Sequence, residues 1–321
     1  MARLLFVHAH PDDETLTCGT TMAHHVAAGD DVHVLTCTLG EEGEVIPADL
    51  AHLEGAPGDP LGPWRREELR EAMRRLGVVH AVLGEDPASG QLSRYRDSGM
   101  AGMPSANHPR AFAGADASEA ADLVAGQIRA VRPDVVVTYD EHGGYGHPDH
   151  IQTRRVTQAA LAALSEEERP SRVFEILTPT SWAREDRGWL REHVPPGAGL
   201  TLLSEDEPYP PAVVDDARVT HVVIDPAQVG AQSQALAAHR SQVSVHDGHY
   251  ALSNHIAARL SGREGFALID PATGAALGRP AARHTAGVGG AGPGKAGPGG
   301  AAPAGAAPGG WAPGLMGETD A

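Results

Sequence analysis

The sequence predicts an α/β protein: a Rossmann-like, mostly parallel sheet with helices on both faces, plus a smaller C-terminal region. Three observations predict it. Short apolar runs alternate with stretches of helical composition through the first 170 residues, as in successive βαβ units. Two polar words, His8-Ala9-His10-Pro11-Asp12-Asp13-Glu14 and His147-Pro148-Asp149-His150, each follow closely behind one of those apolar runs. In open α/β sheets, reactive groups collect at the carboxyl ends of the strands, where loops from distant parts of the chain meet.

Residues 3–7 read as a buried strand, and residues 15–28 as a helix that stops at Gly29, a residue suited to a helix C-terminus. Residues 31–37 alternate well enough for a second strand. The loop 38–63 is long and rich in Gly, Pro and acid, and long loops of this kind are often functional. A helix over 64–76 ends at Gly77, a third strand covers 78–83, and a further helix covers 118–131. Pro133 breaks that helix ahead of a strand over 134–139. The next helix, 147–164, carries Pro148 in its first turn, where a proline is tolerated. Beyond residue 171 the signal weakens to strands over 173–177 and 219–224 and a helix over 226–241. The domain reading is a Rossmann-like catalytic core over 1–170 and a C-terminal part of the same catalytic unit over 171–280. The Gly/Ala/Pro-rich tail, 281–321, has too few large apolar residues to offset its ordering entropy and is expected to be disordered.

Composition excludes several functions. With 25 Lys and Arg against 42 Asp and Glu, the formal charge of −17 disfavours nucleic acid and anionic membranes as partners. No apolar run reaches the roughly 18 residues of a membrane-spanning helix, and the N-terminal run of four is far too short for a signal-peptide core. The expectation is a cytoplasmic protein with a small-molecule substrate; nothing in the sequence signals an oligomeric state. Cys18 and Cys37 lack a paired CxxC spacing and read as reduced packing residues. The first strand-to-helix turn is His-Pro-Asp-Asp-Glu rather than Gly-x-Gly-x-x-Gly, which weighs against a nucleotide-binding oxidoreductase.

A catalytic zinc typically takes three protein ligands and keeps a position open for water. His10 and Asp13 share one tight turn, and His150, opening a later helix, can complete a set of two imidazoles and one carboxylate. That set suits Zn2+, and Fe2+ as well. Asp12 would stand beside the ion without binding it, placed to take a proton from water. His147 shares a helix face with His150 and would reach the same pocket as an acid or an oxyanion stabiliser. Asp149 reads as an N-terminal helix acid or a partner that keeps His147 basic, and Glu14 as a cap. Either word alone is an ordinary turn or helix cap; their joint occurrence behind two strands carries the reading. His24, His25, His33, His80 and His221 are scattered and read as surface or satisfied core.

The two words resemble those of the LmbE-like (PIG-L) family of zinc-dependent N-deacetylases, which act on N-acetylated amino sugars. The resemblance continues through 5–14, 36–46, 96–102 and 143–150, recurs at 236–239 and 251–254, and spans about residues 3 to 260. It narrows to the branch serving mycothiol biosynthesis, whose substrate is a small pseudodisaccharide, N-acetylglucosaminyl-inositol. By matching motif, the resemblance implies His10, Asp13 and His150 as metal ligands and Asp12 as general base. It implies Tyr145 and His147 at the oxyanion, with His147 also protonating the departing amine. Arg65, Asp97 and Glu44 would hold sugar or inositol hydroxyls. The nearest rivals are an amidase of mycothiol S-conjugates and a deacetylase of another N-acetyl amino sugar; a non-catalytic sugar-binding module would have no need of Asp12.

Overall fold

The computed structural model describes residues 1–278 and 311–316. In chain order the elements are β1 (Arg3–His8), α1 (Asp13–Ala27), β2 (Asp31–Thr36), α2 (Leu61–Leu76), β3 (Val79–Val82), α3 (Ala117–Val131) and β4 (Val135–Thr138). A one-turn helix α4 (Gly143–Gly146) then precedes α5 (Pro148–Ala163), β5 (Arg172–Pro179), α6 (Thr180–His193), β6 (Val213–Val214), β7 (His221–Ile224) and α7 (Val229–Leu236). The last elements are β8 (Ser244–Val245), β9 (His249–Ala251), β10 (Ala257–Arg259), β11 (Arg263–Ile269) and β12 (Ala312–Pro313).

The main sheet runs β12-β7-β11-β5-β4-β1-β2-β3, with β6 paired to β5; β8, β9 and β10 form a separate small sheet. Strands β3, β2, β1, β4 and β5 are parallel, as expected, while β11 is antiparallel to both β5 and β7. Period-two alternation sorts β1 between two cores. Leu4 and Phe6 pack with Cys18 and Met22 of α1 and Leu69 and Met73 of α2. Leu5 and Val7 pack with Val124 and Ile128 of α3 and Val156 and Leu161 of α5. Cys18 and Cys37 are buried, unpaired members of these cores. Among the described residues no helix is long and apolar enough to cross a membrane.

The order of the parallel strands places a topological switch between β1 and β4: the chain leaves β1 toward β2 and β4 toward β5, on opposite sides. Both polar words lie at this switch, one after each strand, where an open α/β sheet forms its crevice.

Several boundaries depart from expectation. Helix α2 begins at Leu61 rather than Trp64, because Pro63 falls in its first turn, where the missing N–H would have had no partner. The helix expected over 226–241 stops at Leu236. There the chain peels away so that His239 meets Glu14 and the Ser241 N–H donates to Glu68. The sequence reading missed α6 and β11 altogether. Residues 172–269 supply β5, β7 and β11 to the same sheet, and α7 packs on α1 and α2.

The tail departs too. Within the stretch expected to be disordered, Trp311–Met316 dock on the sheet: β12 adds to β7, Trp311 meets Trp182 edge-on at 5.1 Å, and Leu315 is fully buried. The Trp311 indole N–H donates to the carbonyl of Asp216, and Arg172 donates to that of Leu315. The rest of that expectation falls on 281–310 and 317–321, outside the described residues.

Two stability predictions follow from this packing. Trp311→Ala or Leu315→Ala should each cost about 3 kcal/mol in urea unfolding, the usual scale for emptying a packed site, whereas a non-docked tail would show no change. His221, buried against Phe174, is pushed down to about 4 by burial and then by Arg172. A depressed imidazole contributes stability above its unfolded value near 6.5 and loses it as pH falls toward 4. His221→Phe should therefore remove up to about 1.4 kcal/mol per pH unit from the acid slope of unfolding free energy.

Candidate active site

The turn after β1 is under backbone strain. Asp12 has φ 113°, a conformation costly for a residue with a Cβ and typical of functional sites. Glu14 holds it there by accepting the Asp12 N–H at 3.1 Å. Glu14 is itself fully buried and is anchored by Thr15 and by the His239 Nε2 at 3.1 Å. The strained turn presents Asp12 and Asp13 side by side at the carboxyl end of the sheet.

His10, Asp13 and His150 converge. His10 Nδ1 lies 3.2 Å from Asp13 Oδ2, His150 Nε2 lies 3.2 Å from the same oxygen, and the two nitrogens are 3.2 Å apart. Ligand atoms about 2.0 Å from a tetrahedral ion stand about 3.3 Å from one another, so this triangle has the size that such an ion requires. Its chemistry fits as well: two imidazole nitrogens and a carboxylate, all lining one cavity of about 860 Å³.

The surrounding shell orients these ligands. His150 Nδ1 faces the Gly143 carbonyl at 3.1 Å, so donation there leaves Nε2 free for the triangle. Gly143 has to be glycine: φ is 61°, and a Cβ would lie 2.6 Å from that of His150. His10 Nε2, on the far side of its ring, meets Asp149 at 3.3 Å and Asp97 at 3.4 Å. Tyr139, which the sequence reading missed, donates its hydroxyl to Asp13 at 2.8 Å and accepts the Ala9 N–H.

The electrostatics favour a cation. Burial opposes a charge on His10, yet Asp97, Asp13 and Asp149 outweigh it and raise its proton affinity well above the ordinary imidazole value. Burial likewise opposes ionisation of Asp13, but His150 and His10 hold it well below the carboxylate range. The carboxylates that attract a proton to this cluster suit a divalent ion as well. Asp12 differs: burial lifts it to about 7, with Arg65 pulling the other way.

Three of the expected groups make contacts that the sequence did not indicate. Asp149 does not reach His147 with its carboxylate; that oxygen goes to His10 and to the Ser98 N–H at 2.9 Å. Asp149 gives His147 only its backbone N–H, donated to Nδ1 at 3.1 Å as His147 caps α5. With burial and the neighbouring His10 and His150, His147 is driven down to about 3 rather than kept basic. Arg65, expected to hold sugar hydroxyls, is buried with Nη1 on the Gly40 carbonyl and Nη2 shared by the Pro11 carbonyl and Asp12. Asp97, expected in the same role, accepts the Glu42 and Gly99 N–H groups and stands behind His10.

Arg65 and Asp97 nonetheless line the cavity, as do the remaining candidates. Tyr145 lies at its mouth, 54% exposed, with its ring edge-on to His150 at 5.1 Å. His147 packs edge-on to His10 at 4.6 Å, and Glu44 is exposed on the cavity wall. Sequence spacing could not have revealed Tyr139, His239 or Ser98, since each acts through a partner more than 50 residues away.

An open α/β sheet with this constellation at its switch point defines the class of hydrolytic N-deacetylases. The comparisons give the same class and narrow it. A family model described as PIG-L, GlcNAc-PI de-N-acetylase, matches residues 5–161. The 1D-myo-inositol 2-acetamido-2-deoxy-alpha-D-glucopyranoside deacetylase of Thermomonospora curvata is 44% identical over 285 residues, covering 86% of this chain and 93% of that one. The Catenulispora acidiphila protein of the same name, numbered 2, is 45% identical and covers 83% of this chain and 88% of its own. A solved structure of a conserved protein from Thermus thermophilus is 25% identical with a TM-score of 0.44, covering 75% of this chain and 80% of that one. The chain belongs to the PIG-L deacetylase family.

Tyr139→Phe should lower affinity for Zn2+ between 10- and 100-fold, the usual loss when a ligand loses its supporting hydrogen bond. Chelator competition measures it; an unchanged affinity would remove Tyr139 from the site.

Proposed function

We propose that this protein hydrolyses the acetamide of 1D-myo-inositol 2-acetamido-2-deoxy-α-D-glucopyranoside, releasing acetate and glucosaminyl-inositol for mycothiol biosynthesis in the cytoplasm. The observation that carries the reaction is the 3.2 Å triangle of His10, Asp13 and His150 with Asp12 beside it in one cavity. The substrate follows from relatives 42–45% identical that bear this name and are covered over most of their length.

His10, Asp13 and His150 would hold a divalent ion, with Zn2+ proposed and Fe2+ suited to the same ligands. Such an ion supplies a Lewis acid for the acetamide carbonyl and brings the pKa of water toward about 7. The protein's own groups do the rest. Asp12, poised near neutrality, takes a proton from water as its oxygen forms the bond to the carbonyl carbon. Arg65 fixes the Asp12 carboxylate and keeps its affinity for protons from rising further.

Negative charge then gathers on the carbonyl oxygen, where Tyr145 and His147 can donate hydrogen bonds. A neutral His147 whose Nδ1 accepts the Asp149 N–H carries its proton on Nε2 and is a donor at that position. Such donors are typically worth about 3 kcal/mol each to the barrier. As the C–N bond breaks, the amine leaves with the proton that Asp12 accepted, passed on directly or through His147. Glu44, on the cavity wall, would meet sugar hydroxyls. Arg65 and Asp97 serve the site by holding Asp12 and His10.

Asp12→Ala should keep its metal and lose between 100- and 10,000-fold in turnover, measured as acetate release. A near-normal rate at full metal content would exclude Asp12 as the base. Because Asp12 must be ionised, kcat/KM should rise as pH passes about 7. Arg65→Met should shift that limb to higher pH; a shift to lower pH would contradict the pairing.

A further inference from the structure

The cavity extends well past the metal ligands. At 860 Å³ it lies toward the upper end of the range of about 300–1,000 Å³ usual for small-molecule sites. Its far end is lined by Tyr250 of β9, Asp186 and Trp182 of α6, Arg259 of β10, and Glu264 of β11. These elements come from the C-terminal half, and the reaction described above uses none of them.

The polar groups there retain hydrogen-bonding capacity. Asp186 Oδ1 accepts from both Arg259 and Arg263, while Oδ2 takes no hydrogen bond from the described residues. Arg259 lies over the Trp189 ring at 4.7 Å and donates only from Nη1, leaving Nε and Nη2 without hydrogen-bond partners among the described residues. The Tyr250 hydroxyl also has none. The metal end offers less, because both Nη atoms of Arg65 and both oxygens of Asp97 are committed to the protein.

The far end is polar without being an anion site. Asp186 and Glu185 already pair with the two arginines, and Glu264, bound to the Thr20 and Thr21 N–H groups, is pushed up to about 7 by burial. A carboxylate oxygen beside a guanidinium N–H matches two adjacent hydroxyls, each of which both donates and accepts. Tyr250 stands between the two ends. Burial, and then the charges of Asp12 and Asp186, push its hydroxyl up to about 12. Protonated at neutral pH, that hydroxyl can donate to a ligand lying in this cavity.

We infer that this chamber is the subsite for the neutral polyol ring of the substrate, with Tyr250, Asp186 and Arg259 setting specificity for that ring. The inference rests on the substrate proposed above. The test compares kcat/KM on N-acetylglucosaminyl-inositol with kcat/KM on free N-acetylglucosamine, which lacks the ring.

Tyr250→Phe should lower the ratio of the two about fivefold, the scale of one neutral hydrogen bond, and Arg259→Met about tenfold. Asp186 keeps Arg263 in the second variant, and the first removes only a hydroxyl without a protein partner, so folding does not confound both. A ratio that stays constant, whether both activities fall together or neither does, overturns the subsite. An unaltered enzyme that turns over neither compound overturns the functional proposal, and this inference with it.

Discussion

One buried imidazole organises the reactive end of this molecule. His10 stands between Asp13 on one ring nitrogen and Asp149 and Asp97 on the other. In so little water this arrangement is tolerable only when positive charge is present among the carboxylates. The fold supplies the geometry from every side: β1 and the strained Asp12 turn set His10 and Asp13, α5 sets Asp149 and His150, and loop 96–102 brings Asp97 and the Ser98 N–H. Tyr139, at the end of the β4 strand region, pins Asp13 from below. The chain thus folds around a site that prefers a cation, and the same preference equips it to polarise an amide.

The parallel half of the fold was legible because its physics is local. Buried strands between amphipathic helices announce themselves by apolar runs, and the absence of a glycine fingerprint weighed against nucleotide chemistry. The convergence of His10, Asp13 and His150 was legible for the same reason: His10 and Asp13 share a turn, and His150 follows a second strand. The packing of these ligands was not. That Asp149 would turn its carboxylate to His10, leaving His147 only a backbone N–H, depends on a contact spanning 139 residues. The inward turn of Arg65 was not legible either. The resemblance implied a sugar contact, and the sequence gives no sign that Arg65 reaches Asp12, with the loop glycines at 40 and 43 leaving it room.

The C-terminal half was harder to read because its strands are short, its sheet partners are distant and β11 inserts between β5 and β7. Its importance to the site lies in two side chains and a wall. His239 anchors Glu14, which holds the Asp12 turn in its unfavourable conformation, so a residue from the C-terminal half supports the carboxylate proposed as base. Trp182 walls the far chamber and is backed by Trp311, from a tail that composition alone marks as unstructured. Within that low-complexity stretch, residues 311–316 carry apolar side chains that the fold buries.

The central claim is that His10 Nδ1, Asp13 and His150 grip the ion. Two other ligand groups can be drawn among the described residues: His10 with His147 and His150, and His10 with Asp97 and Asp149. Asp149 does not line the cavity, so an ion held by it would lack an open side for water and substrate. Anomalous diffraction at the zinc edge, from crystals grown with Zn2+, separates these sets most directly. The predicted result is one peak about 2 Å from His10 Nδ1, Asp13 and His150 Nε2. A peak bound instead by His147 with His10 and His150, or by His10 Nε2, Asp97 and Asp149, would contradict it.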